Sequence, residues 1–143
     1  MNVAAILKHK GRAVATASAT SSLMDVAKIL GPKKNGAVVV TDAGGRVTGI
    51  ISERDIIRMI AGHGSDVLAR PVSDAMTHAV VTCGEADTLD DLMSKMTARR
   101  FRHLPVVEDG QLAGIVSIGD VVKHHISEVE MEATAMREYI AHT

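Results

Sequence analysis

Two serines and two aspartates stand in the same relation in this 143-residue chain: Asp55 follows Ser52 by three residues, and Asp120 follows Ser117 by three. Each serine ends a hydrophobic segment and opens a helical one. Its hydroxyl and the free backbone N–H groups of the first helical turn therefore face the same point, an arrangement that favours a phosphate. A carboxylate one helical turn on can accept both hydroxyls of a ribose while the phosphate occupies the helix end. The same spacing is also an ordinary N-capping pattern, with Asp favoured in the first turn, and a single copy reads first as a cap.

Other chemistry finds less support. Ser, His and Asp all occur, but without the strained nucleophile elbow of a hydrolase or a cysteine in an activating context, so no catalysis is expected. His124 and His125 are adjacent, and neighbouring helical residues diverge by about 100°, so they read as surface helix and no metal is expected. The single cysteine, Cys83, reads as a small buried hydrophobe in a reducing compartment.

Composition narrows the partners. Sixteen basic and 17 acidic residues give a net charge of −1, which supplies no general attraction for nucleic acid. One Phe, one Tyr and no Trp leave almost no aromatic face on which a base could stack, so the core must be aliphatic. The apolar stretch from Val3 to Leu7 is too short for a signal-peptide core, and no apolar run approaches the ~18 residues of a membrane helix. A cytoplasmic protein is expected.

A repeat organises the chain. Gly49-Ile50-Ile51-Ser52-Glu53-Arg54-Asp55-Ile56 matches Gly114-Ile115-Val116-Ser117-Ile118-Gly119-Asp120-Val121 at an offset of 65 residues. Before each match the pattern predicts a short β segment, an amphipathic helix (Leu23 to Leu30, Leu89 to Met96) and a hairpin. The hairpin strands are Ala37 to Val40 with Val47 to Ile51, and Leu104 to Val107 with Leu112 to Val116. Ser21 and Ser22 are the cap candidates of the first helix, and Gly31-Pro32 stops it. A closing helix follows from Asp55 or Asp120, and small and polar residues from Ala61 to Pro71 form a crossover. One such repeat exposes an apolar sheet face, so two packed together are the stable solution.

The doubled Gly-hydrophobic-hydrophobic-Ser-x-x-Asp motif, with Met76-Thr77 at the second entry and Arg102-His103-Leu104-Pro105-Val106-Val107 opening the second hairpin, resembles the CBS family. The resemblance covers nearly the whole chain and is to a tandem pair, or Bateman module, of the small stand-alone bacterial type. It implies an α/β fold of two β-α-β-β-α repeats packed sheet to sheet about a pseudo-twofold axis, plus a C-terminal helix. The repeats would span 1–65 and 66–127, with a helical extension over 128–143. It further implies a non-catalytic regulatory module that binds an adenine nucleotide between the repeats, AMP being expected ahead of ADP, ATP and NAD(H), with S-adenosylmethionine also among the family's ligands. An unidentified protein target would carry the output. The alternative is a structural dimerisation module with empty clefts.

Carried onto this chain, the resemblance pairs Ser52 and Asp55 with Met76, Val80, Val81, Arg102 and His103. It pairs Ser117 and Asp120 with Val14, Ala15, Asn35, Gly36 and Ala37, and includes Pro105 in the binding surface. Arg54 is expected to reach the phosphate held by Asp120, or else to be a solvated side chain, while Arg99 and Arg100 read as surface. Finally, Val122, Ile126, Val129, Ala133, Met136 and Ile140 follow spacings of four and three, a heptad-like seam. It would lie either on its own domain or against a second chain, in keeping with a homodimer.

Overall fold

The structure, a computed structural model, describes residues 1–32 and 36–142; Asn35 lies outside them. In chain order the elements are α1 (Val3–Lys10), β1 (Thr16–Ala17), α2 (Leu23–Leu30), β2 (Ala37–Thr41), β3 (Val47–Ser52), α3 (Glu53–His63), α4 (Leu89–Arg99), β4 (His103–Glu108), β5 (Gln111–Ser117) and α5 (Ile118–Ala141). The expected strand and helix order is present. Ser22 caps α2 by accepting from the Asp25 N–H, and Gly31 ends it.

The two sheets repeat one plan. β1 runs parallel to β2, which pairs antiparallel with β3, while β4 pairs with β5 and Cys83 forms a parallel bridge to Val106 where the first repeat has β1. Register places Ala37 beside Ser52 and His103 beside Ser117, so the start of each hairpin lies next to its own serine. Both hairpins have a register shift in their first strands, at Val40/Thr41 and Val106/Val107.

Contacts between the hairpins follow a pseudo-twofold axis. A methyl group on Gly45 would stand 2.7 Å from Gln111 Oε1, and one on Gly110 would stand 3.5 Å from the Arg46 guanidinium. Gly45 and Arg46 are the repeat equivalents of Gly110 and Gln111, so the contacts are reciprocal. Both glycines have positive φ, +78° and +77°, which a side chain at either position would strain.

Each repeat has its own aliphatic core, and each core borrows from outside its repeat. The first contains Leu23, Val26, Val38, Val40 and Ile51, together with Val67, Val72 and Met76 of the crossover, which forms two short 3-10 turns. The second contains Leu92, Leu104, Val106 and Val116, together with Val3, Ile6 and Leu7 of α1. The amino-terminal helix thus completes the distal repeat. Its backbone is tied there by Val3 N–H donating to Asp87 C=O at 2.9 Å. Burial of three such side chains contributes roughly 1.5–3 kcal/mol each.

Two glycines show why α1 is needed. Gly49 lies against the Met76 side chain and Gly114 against Leu7, with no room for a Cβ at either. These glycines open the two repeated motifs, so Leu7 does for the second repeat what Met76 does for the first.

α5 is one unbroken helix of 24 residues, without a break between 127 and 128. Only its first half packs inward, through Val121 and His124. His124, read from sequence as surface, is 8% exposed and meets His9 edge to face at 5.7 Å; α1 covers it, and His125 alone faces outward.

Candidate functional site

Ser52 ends β3 and caps α3. Its Oγ accepts from the Asp55 N–H at 3.4 Å, and Asp55 Oδ2 accepts from the Ser52 N–H at 2.8 Å and the Ser52 hydroxyl at 3.0 Å. Ser117 and Asp120 form the same reciprocal box at the start of α5. So do Thr88 and Asp91 at α4. The capping reading therefore holds at both repeated motifs, and a capping box by itself does not mark a ligand site. At Asp55 and Asp120 only Oδ2 is engaged, so Oδ1 of each accepts no hydrogen bond among the described residues.

What distinguishes Asp55 is its setting. It lines a cleft of about 710 Å³ to which both repeats contribute. One wall carries Gly36, Ala37, Ser52, Arg54 and Arg58; the other carries Thr77 and the run Arg99 to His103. Ser52, Arg54, Asp55, Arg102 and His103 are thus brought together. Gly36 and Ala37, expected beside Asp120, stand in the Asp55 cleft because the β2–β3 register sets Ala37 directly against Ser52. Arg54 likewise lines the cleft of its own repeat.

Five arginines line this cleft against two carboxylates, Glu53 and Asp55. None of the five forms an ion pair among the described residues. Arg58 lies one helical turn beyond Arg54, a spacing that was legible in the sequence. Arg99 and Arg100 are exposed, as expected, but they face the cleft. Arg100 ends α4 at φ 56°, the left-handed region usually given to glycine. Clustered cations in a concave, low-dielectric surface attract an anion.

His103 lines the cleft, half-buried. Burial first, then the Lys10 and Arg102 cations, hold its imidazole below the usual histidine range, while Asp120 opposes them. At neutral pH the ring is a neutral hydrogen-bonding group.

The second motif is closed differently. Lys10 Nζ reaches Asp120 Oδ2 at 2.6 Å and Ile115 C=O at 3.0 Å. In the first repeat the equivalent Ile50 instead exchanges backbone hydrogen bonds with Thr77. Burial works against ionisation of Asp120, but the Lys10 hydrogen bond, the Ser117 N–H and the Lys10 charge outweigh it and hold the carboxyl below its ordinary range. A lysine that sequence reading left unremarked therefore distinguishes the two aspartates.

The remaining expected site residues lie apart from the Asp55 cleft. Val14 and Val80 are half-buried ahead of each repeat's first β segment. Ala15 packs on the first core and accepts from the Val39 N–H, while Val81 packs on the second. Met76 is buried against Gly49 and borders a separate recess with Thr16 and His78. Pro105 is buried in β4, its carbonyl accepting from the Cys83 N–H at 3.0 Å. Cys83 is 3% exposed, and burial pushes its thiol up to about 12.

Among the described residues no three His, Cys, Asp or Glu side chains are grouped to hold a metal, and no helix is long and apolar enough to cross a membrane. The fold and its inter-repeat cleft define a two-repeat α/β module. The CBS domain model matches residues 10–62 and 72–127, and the chain belongs to that family.

Among solved structures, the CBS-domain protein ATU1752 from Agrobacterium tumefaciens is 50% identical, with a TM-score of 0.83 over 87% of this chain and 99% of that one. The CBS pair of protein MJ0100, solved with 5-methylthioadenosine and S-adenosyl-L-methionine, is 27% identical, with a TM-score of 0.80 over 90% and 98%. The CBS protein PAE2072 from Pyrobaculum aerophilum, solved with AMP, is 27% identical, with a TM-score of 0.75 over 84% and 89%. The chain spans between 34 and 69% of the length of the first curated relatives it matches.

Proposed function

We propose that this protein is a cytoplasmic, non-catalytic regulatory module whose Asp55 cleft binds an adenine nucleotide. The observation that carries the proposal is the wall of five arginines, none of them ion-paired among the described residues, facing the Ser52–Asp55 helix start. The phosphates lie between the α3 N-terminus and Arg54, Arg58, Arg99, Arg100 and Arg102, where charge-assisted hydrogen bonds are strong. Asp55 Oδ1 takes the ribose hydroxyls. Half-buried backbone and aliphatic groups receive the purine, in keeping with a chain that has almost no aromatic rings.

The relatives' bound molecules share an adenosyl group, which supports that ligand class. The arginines discriminate within it. AMP, ADP, ATP and NAD(H) bring anionic phosphate, whereas the sulfonium of S-adenosylmethionine brings a positive charge that the cleft repels. Binding changes the activity of a protein target, and the module acts as a homodimer.

Thermal unfolding with AMP, ATP, NAD, S-adenosylmethionine and GMP tests this reading. A nucleotide at 100 times its dissociation constant adds about 2.7 kcal/mol to stability. AMP or ATP is expected to stabilise, with S-adenosylmethionine and GMP weaker; no stabilisation by any adenine nucleotide would leave the structural alternative, a dimerisation module with empty clefts.

A further inference from the structure

The two Ser-x-x-Asp motifs meet different groups at equivalent places. Leu7 packs on Gly114 as Met76 packs on Gly49, so the end of α1 stands to the second motif as Thr77 stands to the first. Thr77 exchanges backbone hydrogen bonds with Ile50 and lines the Asp55 cleft. At the matching place the chain presents Lys10, whose Nζ donates to Ile115 C=O at 3.0 Å and to Asp120 Oδ2 at 2.6 Å. Ile115 precedes Ser117 by two residues and Asp120 follows it by three, so one ammonium spans the strand-to-helix junction. Among the described residues no cation pairs with Asp55.

The helix that carries Lys10 is tied to the second repeat at both ends. The Met1 amino group pairs with Glu128 of α5 at 3.0 Å, and the Val3 and Ala4 N–H groups donate to the Asp87 and Glu85 carbonyls. Val3, Ile6 and Leu7 are buried, and His9 meets His124. The stem of Lys10 therefore starts from a fixed backbone. Its ammonium has the donor chemistry of a ribose diol with a full positive charge added. It offsets the charge of Asp120, which leaves the carboxylate a weaker acceptor for a neutral hydroxyl, and it takes the place over the junction that a nucleotide would need. The Lys10 and Asp120 side chains keep 30 and 21% of their surface exposed, so the contact can open without unfolding a core.

We propose that Lys10 is an internal occupant of the Ser117–Asp120 motif: the chain binds one nucleotide, in the Asp55 cleft, and α1 keeps the second motif closed. The inference rests on the nucleotide reading of the Asp55 cleft and adds a stoichiometry and the residue that sets it. Displacing a charge-assisted contact of this kind weakens a competing ligand by roughly 10- to 100-fold. Withdrawal of Lys10 opens a second site on the same chain, so the amino-terminal helix sets the binding capacity.

Titration calorimetry with AMP on the full chain, with melting curves in the absence of ligand, tests this. The parent is expected to bind one AMP per chain, lost in Asp55→Ala and kept in Asp120→Asn. Lys10→Met is expected to bind a second AMP at least about ten-fold more tightly than any second binding by the parent, and Lys10→Met with Asp120→Asn to lose it. Lys10→Gln gives the same reading if the methionine variant does not melt cooperatively.

Two AMP per parent chain, one of them lost in Asp120→Asn, would overturn the proposal. So would a folded Lys10→Met chain that binds no more AMP than the parent, or one that binds less, which would make the lysine a phosphate ligand. No AMP on the parent but one on Lys10→Met, dependent on Asp120, would overturn the reading of the Asp55 cleft and uphold the closure by Lys10.

Discussion

Gly36, just ahead of β2, and His103, which opens β4, meet across the two repeats: a methyl group on Gly36 would stand 2.8 Å from His103 Nε2. Glycine at 36 lets the histidine ring of the second repeat lie against the first. Gly36→Ala is expected to destabilise the protein by about 1 kcal/mol through overpacking. The cost should vanish in the His103→Ser background, giving a non-additive double-mutant cycle in urea unfolding. Equal costs in both backgrounds would mean the contact is not tight.

The lowered imidazole affinity of His103 for a proton fixes a pH dependence. Its folded value lies below the unfolded one, so the unfolded chain takes up the proton first as pH falls. Stability attributable to His103 is then present above about pH 6.5 and declines below it until the folded value is reached. His103→Gln should flatten this part of the stability profile below about pH 6.5, as followed by denaturant midpoints. An unchanged slope would assign the acid sensitivity elsewhere.

Asp55 and Asp91 form matching capping boxes, but only Asp55 lines the cleft. Asp55→Ala and Asp91→Ala are both expected to lower stability by removing one half of a capping box. Titration calorimetry separates them. Nucleotide affinity should fall by roughly 10- to 100-fold in Asp55→Ala and stay unchanged in Asp91→Ala. Wild-type affinity in Asp55→Ala would reduce that residue to a cap.

Arg100 holds a left-handed backbone at the end of α4 although it is not glycine. Arg100→Gly is expected to raise stability by about 1 kcal/mol by relieving that conformation. It should also weaken nucleotide binding by removing a cation from the cleft wall. Paired melting and titration experiments check both signs; a variant that is more stable with undiminished affinity would detach Arg100 from the ligand.

Lys10 closes over Asp120 from α1. Lys10→Met should raise the Asp120 proton affinity toward its ordinary value, because the attached charge and hydrogen bond are gone. In the parent the depressed carboxyl adds stability above the unfolded value near pH 4, and that stability is lost as pH falls through the folded value. The variant should lose most of this acid dependence, measurable by NMR titration of the Asp120 side chain. A titration curve unmoved by the substitution would assign the depression to the capping box alone.

The sequence by itself determined the repeat, the hairpins and the two Ser-x-x-Asp motifs, because strand alternation, turn residues and capping pairs act over a few residues and repeat at a fixed offset. It also identified Arg102 and His103, which open a hairpin. Tertiary structure decided which neighbours those motifs acquired. Hairpin register moved Gly36 and Ala37 to the Asp55 cleft, and a left-handed helix end brought Arg99 and Arg100 to its wall. The role of α1 was hidden for the same reason: eight residues at the start of the chain have no local partner, and their burial depends on Gly114, more than a hundred residues away. Long-range packing, which no local pattern encodes, set Lys10 on Asp120 and left Asp55 facing an open cleft of arginines.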